Sequence, residues 1–185
     1  MVIIQERVAG LTEAALAKFV TRARRVVGLR GAVSVLVTSS RELQGLNHRF
    51  RGKNKPTDVL SFPAMPGLMQ GFAGDVAIAA EIAARNALRL GHTVAEEIRI
   101  LTLHGVLHLA GYDHERDDGE MERTEERLRK SLGLPVGLIE RSGRSARGKG
   151  LSAKNKSNSS GRGRTPVVST RGKAGMASRA TRASR

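Results

Sequence analysis

The chain has 185 residues, no cysteine and a formal charge of +15 at pH 7. That length is enough for one domain with a real core, and the missing cysteines exclude disulfides and thiolate metal sites. The charge is uneven: residues 141–185 hold 13 Lys or Arg and no acid, which leaves 19 basic against 17 acidic residues, a net of +2, in 1–140.

From the N-terminus, Val2, Ile3 and Ile4 read as a first strand. This apolar start is too short for a signal peptide, and no run is long enough to span a bilayer. A cytoplasmic protein without membrane contact is expected. Residues 11–27 read as a helix on the stripe Leu11, Ala15, Leu16, Phe19, Val20 and Ala23. Val33-Ser34-Val35-Leu36-Val37 reads as a second strand. Ser39 followed by Glu42 is a capping-box signature that opens a helix carrying Leu43, Leu46 and Phe50. Residues 58–62 read as a third strand, ended by Pro63. Residues 74–78 read as a fourth, with a helix over about 80–90 behind it. Thr93 with Glu96 repeats the capping box and starts a helix that ends at Gly111. Asp117 is expected to cap a last helix, charged outside and tied inward by Met121, Leu128 and Leu132. No internal repeat is visible. The sum over 1–140 is an α+β domain of about four strands with about five helices packed on them.

Residues 141–185 are low in complexity, rich in Ser, Gly and Arg, and nearly free of core-forming side chains. They are expected to be disordered. The tail is either a solvated extension without a task or an arm that lays Lys and Arg along phosphates without reading bases. It has no aromatic residue, so base stacking is closed to it.

The chemistry is concentrated in His104-Gly-Val-Leu-His108-Leu-Ala-Gly111-Tyr-Asp-His114, which holds three of the five histidines. His104 and His108 are four apart, so on a helix both rings leave from one face and can grip one cation. Gly111 reaches the left-handed conformation of a helix C-terminus without a Cβ penalty, and the turn it permits can swing His114 back to the pair. Three neutral imidazoles without a thiolate leave a fourth position for water, the pattern of catalytic zinc. The competing reading is a pair of ordinary core histidines at a chance spacing. The spacing also equals that of the long-motif zinc proteases, but their helix carries a Glu directly after the first His as general base. Here that position is Gly105, so the ligand set survives and the peptidase chemistry does not. A deaminase needs a C-x-x-C pair that this chain lacks.

The run Leu46-Asn47-His48-Arg49-Phe50-Arg51-Gly52-Lys53-Asn54-Lys55-Pro56-Thr57-Asp58-Val59-Leu60-Ser61-Phe62-Pro63 closely resembles the first signature of the YbeY family of rRNA maturation endoribonucleases. Gly74-Asp75-Val76-Ala77-Ile78 resembles that family's middle strand, and the histidine run its metal motif. The three stand in order and cover essentially 1–140. The resemblance implies a small mixed four-stranded sheet flanked by helices. It implies one Zn2+ on His104, His108 and His114, at the end of a central helix. It further implies a metal-dependent endonuclease that processes ribosomal RNA, notably the 3′ end of the small-subunit (16S) RNA, with that RNA and the small ribosomal subunit as partners and no small-molecule cofactor. It says nothing about 141–185.

Under that resemblance Arg51 is the candidate catalytic residue. A guanidinium presents forked donors to phosphate oxygens and keeps its charge at neutral pH. Facing the metal, it would steady charge building on phosphorus. Without the resemblance it reads as part of a solvated basic loop. Lys53 and Lys55 are weaker candidates for holding phosphates. Asp75 and Asp113 stand between structural roles and the orientation of a ligand. Tyr112 is expected at the helix end, His48 on an exposed helix face, and His92 in the turn before Thr93. A cation on three imidazoles lowers the pKa of its water toward roughly 7. No carboxylate presents itself as general base. The alternative is a ribosome-assembly binding module whose metal is a structural staple, which would need a fourth protein ligand, Asp113 or Asp117 being nearest.

Overall fold

Alternation along Val33, Val35 and Val37 buries every second side chain on one face, as a half-covered strand requires. The computed structural model describes residues 1–65 and 71–136, so the tail expected at 141–185 lies outside the described residues. Among these, four strands and five helices follow in chain order. They are β1 (Val2–Ile4), α1 (Glu13–Val27), β2 (Ala32–Thr38), α2 (Ser40–Arg51), β3 (Val59–Pro63), β4 (Phe72–Ala79), α3 (Ala80–Leu90), α4 (Val94–Leu109) and α5 (Glu120–Leu132). The sheet order is β1-β2-β4-β3. β1 and β4 run parallel to β2, while β3 runs antiparallel to β4 on the edge. The sheet is therefore mixed and the class α+β.

Register decides which helix covers which face. Val35 lies opposite Val76, and Val37 opposite Ile78. With Leu16 and Val20 of α1 and Ile98, Leu101 and Val106 of α4, these residues form the main core. The other face carries Leu60, Ala77 and Ala79, against Leu43 of α2. Each fully buried Leu or Ile contributes about 1.5–3 kcal/mol relative to exposure.

α4 is apolar almost all round. On another side, Ile100, Leu103 and Leu107 pack with Met121, Leu128 and Leu132 of α5. It is thus enclosed between the sheet and α5, where a helix without a polar face belongs. Gly105 marks its closest approach to the sheet. A Cβ there would stand 2.6 Å from a Val76 methyl and 3.0 Å from Ser61 Oγ. Ser61 Oγ donates to the Gly105 carbonyl at 3.2 Å across the same contact.

The helix starts refine the sequence reading. Thr93 and Glu96 form the complete capping box. At Ser39 only half of one forms: Ser39 Oγ accepts from Glu42 N–H, while the Glu42 carboxylate takes the hydroxyl of buried Thr38 instead. α1 begins two residues after Leu11, because Thr12 accepts from Ala15 N–H at 3.2 Å. Asp117 does serve the start of α5, but from two residues before the cap. Gly119 takes the cap position at φ 83°, and the Asp117 carboxylate accepts from the N–H groups of Gly119 and Met121. Those N–H groups, Met121 first, hold the Asp117 carboxyl below its ordinary pKa. The stripe of α2 is only partly inward. Leu43 is buried, but Phe50 is 59% exposed, and Asn47 takes a buried position.

Candidate metal centre

The last turns of α4 carry His104 and His108 on a flank between the sheet and α5. Ala110 caps the helix, and Gly111 follows at φ 96°. The N–H of Gly111 returns to the His108 carbonyl and that of Tyr112 to the Leu107 carbonyl. Those bonds satisfy orphan carbonyls and reverse the chain. The reversal brings the His114 ring to 5.3 Å from His104 and 5.1 Å from His108, centroid to centroid. One donor atom from each histidine lies within 4.8 Å of the others. Two rings are half-buried and His114 is exposed, so the cluster opens to solvent on one side.

Hydrogen bonds at the far nitrogens set the tautomers. His108 Nδ1 lies 2.9 Å from the Tyr112 carbonyl, which can only accept, so Nδ1 carries the proton. His104 Nδ1 lies 2.8 Å from a Glu125 carboxylate oxygen and donates to it in the same way. In the neutral rings, the form that binds metal, both Nε2 atoms are then lone pairs, and they face each other at 3.1 Å. Two lone pairs at that distance repel unless a cation lies between or beside them. Donors around one tetrahedral zinc are separated by roughly 3.3 Å, given zinc–nitrogen bonds of about 2.0–2.1 Å. The donor set therefore fits one metal ion. Burial first, then the neighbouring His104 and His114, lower the pKa of His108 and keep it in the neutral ligand form.

Glu125 was not evident from the motif. It lies on α5, 21 residues beyond His104, and is 7% exposed. Arg129, one turn on, pairs with its other oxygen. A signal for it does exist in the sequence. Met121, Glu125, Leu128 and Leu132 are spaced along one helical stripe, so a carboxylate interrupts an otherwise apolar face.

The other candidates fall elsewhere. Arg51 is the last residue of α2 and is exposed, as are Lys53 and Lys55 in the connection to β3. Among the described residues no hydrogen bond or ion pair joins these three side chains to the histidines. The structure pins this connection by its backbone. Gly52 N–H and Lys53 N–H return to the His48 and Asn47 carbonyls, and Asn47 Nδ2 donates to the Lys55 carbonyl at 2.8 Å. Asp113 is a turn residue, accepting from Glu115 N–H and pairing with Arg116. Asp75 is exposed within β4, opposite Phe62. Tyr112 packs at the end of α4 as expected, His48 is exposed, and His92 precedes Thr93 but is tied to buried Glu97 at 2.7 Å. Among the described residues the grouped metal donors are the three histidines, with neither Asp113 nor Asp117 among them. No helix there is long and apolar enough to cross a membrane.

The sequence matches known proteins over most of its length. The family model described as Endoribonuclease YbeY matches residues 2–133. A protein named Endoribonuclease YbeY from Koribacter versatilis is 58% identical over 147 residues, 80% of this chain and 95% of its own. One of the same name from Solibacter usitatus is 48% identical over 134 residues, 72% of this chain and 88% of its own. The solution structure of TM1509 from Thermotoga maritima is 29% identical, with a TM-score of 0.48, and the match covers 71% of this chain and 89% of that one. The family model spans residues 2–133, which include the three clustered histidines at the end of α4, and the chain belongs to the YbeY endoribonuclease family.

Proposed function

We propose that the protein is a cytoplasmic, zinc-dependent endoribonuclease that cuts single-stranded RNA. Its substrate is precursor ribosomal RNA, notably the 3′ end of the small-subunit RNA, met on the small ribosomal subunit. One observation carries the metal dependence: the Nε2 atoms of His104 and His108 stand 3.1 Å apart while each Nδ1 faces an acceptor. His104, His108 and His114 would hold the ion. A bound zinc supplies Lewis acidity and a nucleophile available at neutral pH. The reading of a structural staple is weaker, because such a site closes with a fourth protein donor, and among the described residues the cluster offers three.

The chain's own residues do the rest. Glu125 and the Tyr112 carbonyl fix the ring orientations and raise the basicity of the ligands. Arg51 offers two parallel N–H donors to phosphate oxygens, and its fixed charge offsets the negative charge that grows there. Lys53 and Lys55 hold the strand by point charges. The basic residues of 141–185 add phosphate contacts indifferent to sequence. The position that carries the general base in zinc proteases is closed by the sheet, since even a Cβ at Gly105 meets Val76.

Purified protein should cut precursor small-subunit RNA, stop after chelation and regain activity with added zinc. Undiminished cutting by protein shown by elemental analysis to be metal-free would overturn the reading.

A further inference from the structure

The chain contains five aromatic residues, four Phe and one Tyr, and no Trp. Phe19, Phe62, Phe72 and Tyr112 are partly covered, but Phe50 is 59% exposed. Leaving a phenyl ring in water forgoes burial energy, so its position calls for a reason. Phe50 stands in the last turn of α2, edge-on to Phe62 at 5.3 Å. The Arg49 guanidinium lies 5.4 Å from the centre of its ring. From Leu43 to Thr57 the sequence holds Arg49, Arg51, Lys53 and Lys55 and no acid. The ring therefore sits in a basic stretch of chain, and Phe62 and the backbone-pinned connection fix its place.

An exposed ring among cations suits an unpaired nucleobase. Every base has a π-face, its phosphates are drawn to the surrounding charges, and an arginine can close over the stack. A duplex offers no such face, because its bases are already stacked on one another. An acidic protein partner would satisfy the charges but would leave the flat ring unexplained.

We propose that Phe50 is a stacking platform for one unpaired base of the RNA substrate, next to the strand phosphates held by Arg51. The proposal rests on the endoribonuclease reading and adds a subsite to it.

The absence of tryptophan supplies a reporter. In full-length protein carrying Phe50→Trp, the introduced indole should be quenched by a 2′-O-methyl single-stranded oligouridylate. An abasic oligomer of the same length and charge should leave its emission unchanged. Phe50→Leu keeps an apolar side chain but no ring face. It should bind the oligouridylate about 5- to 150-fold more weakly than wild type, and bind the abasic oligomer equally well. Phe50→Trp should keep wild-type affinity, which separates loss of the ring face from loss of the Phe62 contact. Equal affinity of Phe50→Leu and wild type for the oligouridylate, or equal quenching by both oligomers, would overturn the platform. RNA cutting by wild type, measured in parallel, tests the parent reading separately. Cutting with an unaffected Phe50→Leu sinks only the platform; base-dependent binding without cutting sinks only the nuclease.

Discussion

The histidine centre and the basic connection after α2 are built in opposite ways. At the centre the side chains are held: His104 by Glu125, His108 by the Tyr112 carbonyl, and Glu125 in turn by Arg129. In the connection the backbone is held, by Gly52, Lys53 and the Asn47 amide, while Arg51, Lys53 and Lys55 are left exposed. A metal demands donors placed within a few tenths of an ångström, so the rings cannot be free. A nucleic-acid strand arrives in many conformations, and long cationic side chains can follow it if their roots stay fixed. The difference predicts that damage at the centre appears in metal content, whereas damage in the connection appears in RNA handling alone.

The largest effect is expected at the centre. His108→Ala removes one of three donors and the contact that anchors Tyr112, so stoichiometric zinc should be lost and cleavage with it. Elemental analysis that still finds one ion per chain would dissolve the triad, and with it this side of the comparison.

Arg51→Ala comes next and should separate the two regions most cleanly. Metal content and melting temperature should match wild type, while cleavage loses about 3 kcal/mol of transition-state stabilisation, the scale of one lost oxyanion donor. Arg51→Lys should recover little, because a point charge does not reproduce a fork. Wild-type rates in both variants would return Arg51 to the solvent.

Glu125→Gln keeps the shape of the side chain but weakens the acceptor facing His104. Zinc affinity should fall by about 10- to 100-fold, measured by competition with a chromophoric chelator. An unchanged affinity would mean that Glu125 serves only to pair Arg129.

How much of this was legible in the sequence follows from distance along the chain. The sheet strands, the helix over Ala80–Leu90 and the Thr93 capping box were readable because period and capping are local. His104, His108 and His114 were readable because one helix end and one glycine turn join them. Glu125 was less legible because its partner lies on another helix, and its one local signal is a carboxylate in the apolar stripe of Met121, Leu128 and Leu132. Glu42 misled in a similar way: the box spacing was present, but the Thr38 hydroxyl competed for the carboxylate. Phe50 continued the apolar period of Leu43 and Leu46, yet the ring stays largely in water and meets the sheet edge-on at Phe62. Arg51 could be proposed only through the family resemblance, since an exposed arginine at a helix end has no periodic signature.

Asn47→Ala tests whether the pinned backbone matters. The amide is buried and donates to the Lys55 carbonyl, and its loss leaves that carbonyl without the bond at a cost of about 1–3 kcal/mol. Metal content should hold, while cleavage and RNA affinity decline together as the connection loosens. A decline in stability with full RNA activity would show that the side chains do not depend on a fixed root.

The smallest effect concerns Lys53 and Lys55, which are expected to act as point charges. Each phosphate contact on a single strand contributes roughly 0.7 to the slope of log affinity against log salt. Lys53→Ala and Lys55→Ala should therefore each flatten that slope by about 0.7 if they touch the strand. The chain has a much larger basic reserve, 13 residues in 141–185, so the same titration should be run on a chain ending at Glu140. Truncation should flatten the slope further while leaving zinc content and the cleavage position unchanged, because those belong to the folded domain. The lysine variants should lose their increment equally in both backgrounds, since contacts that do not share phosphates add. Should the increments vanish only in the full-length chain, the tail and the connection compete for the same phosphates. Should they be absent in both, the two lysines are solvent-facing, and the connection works through Arg51 and Phe50 alone.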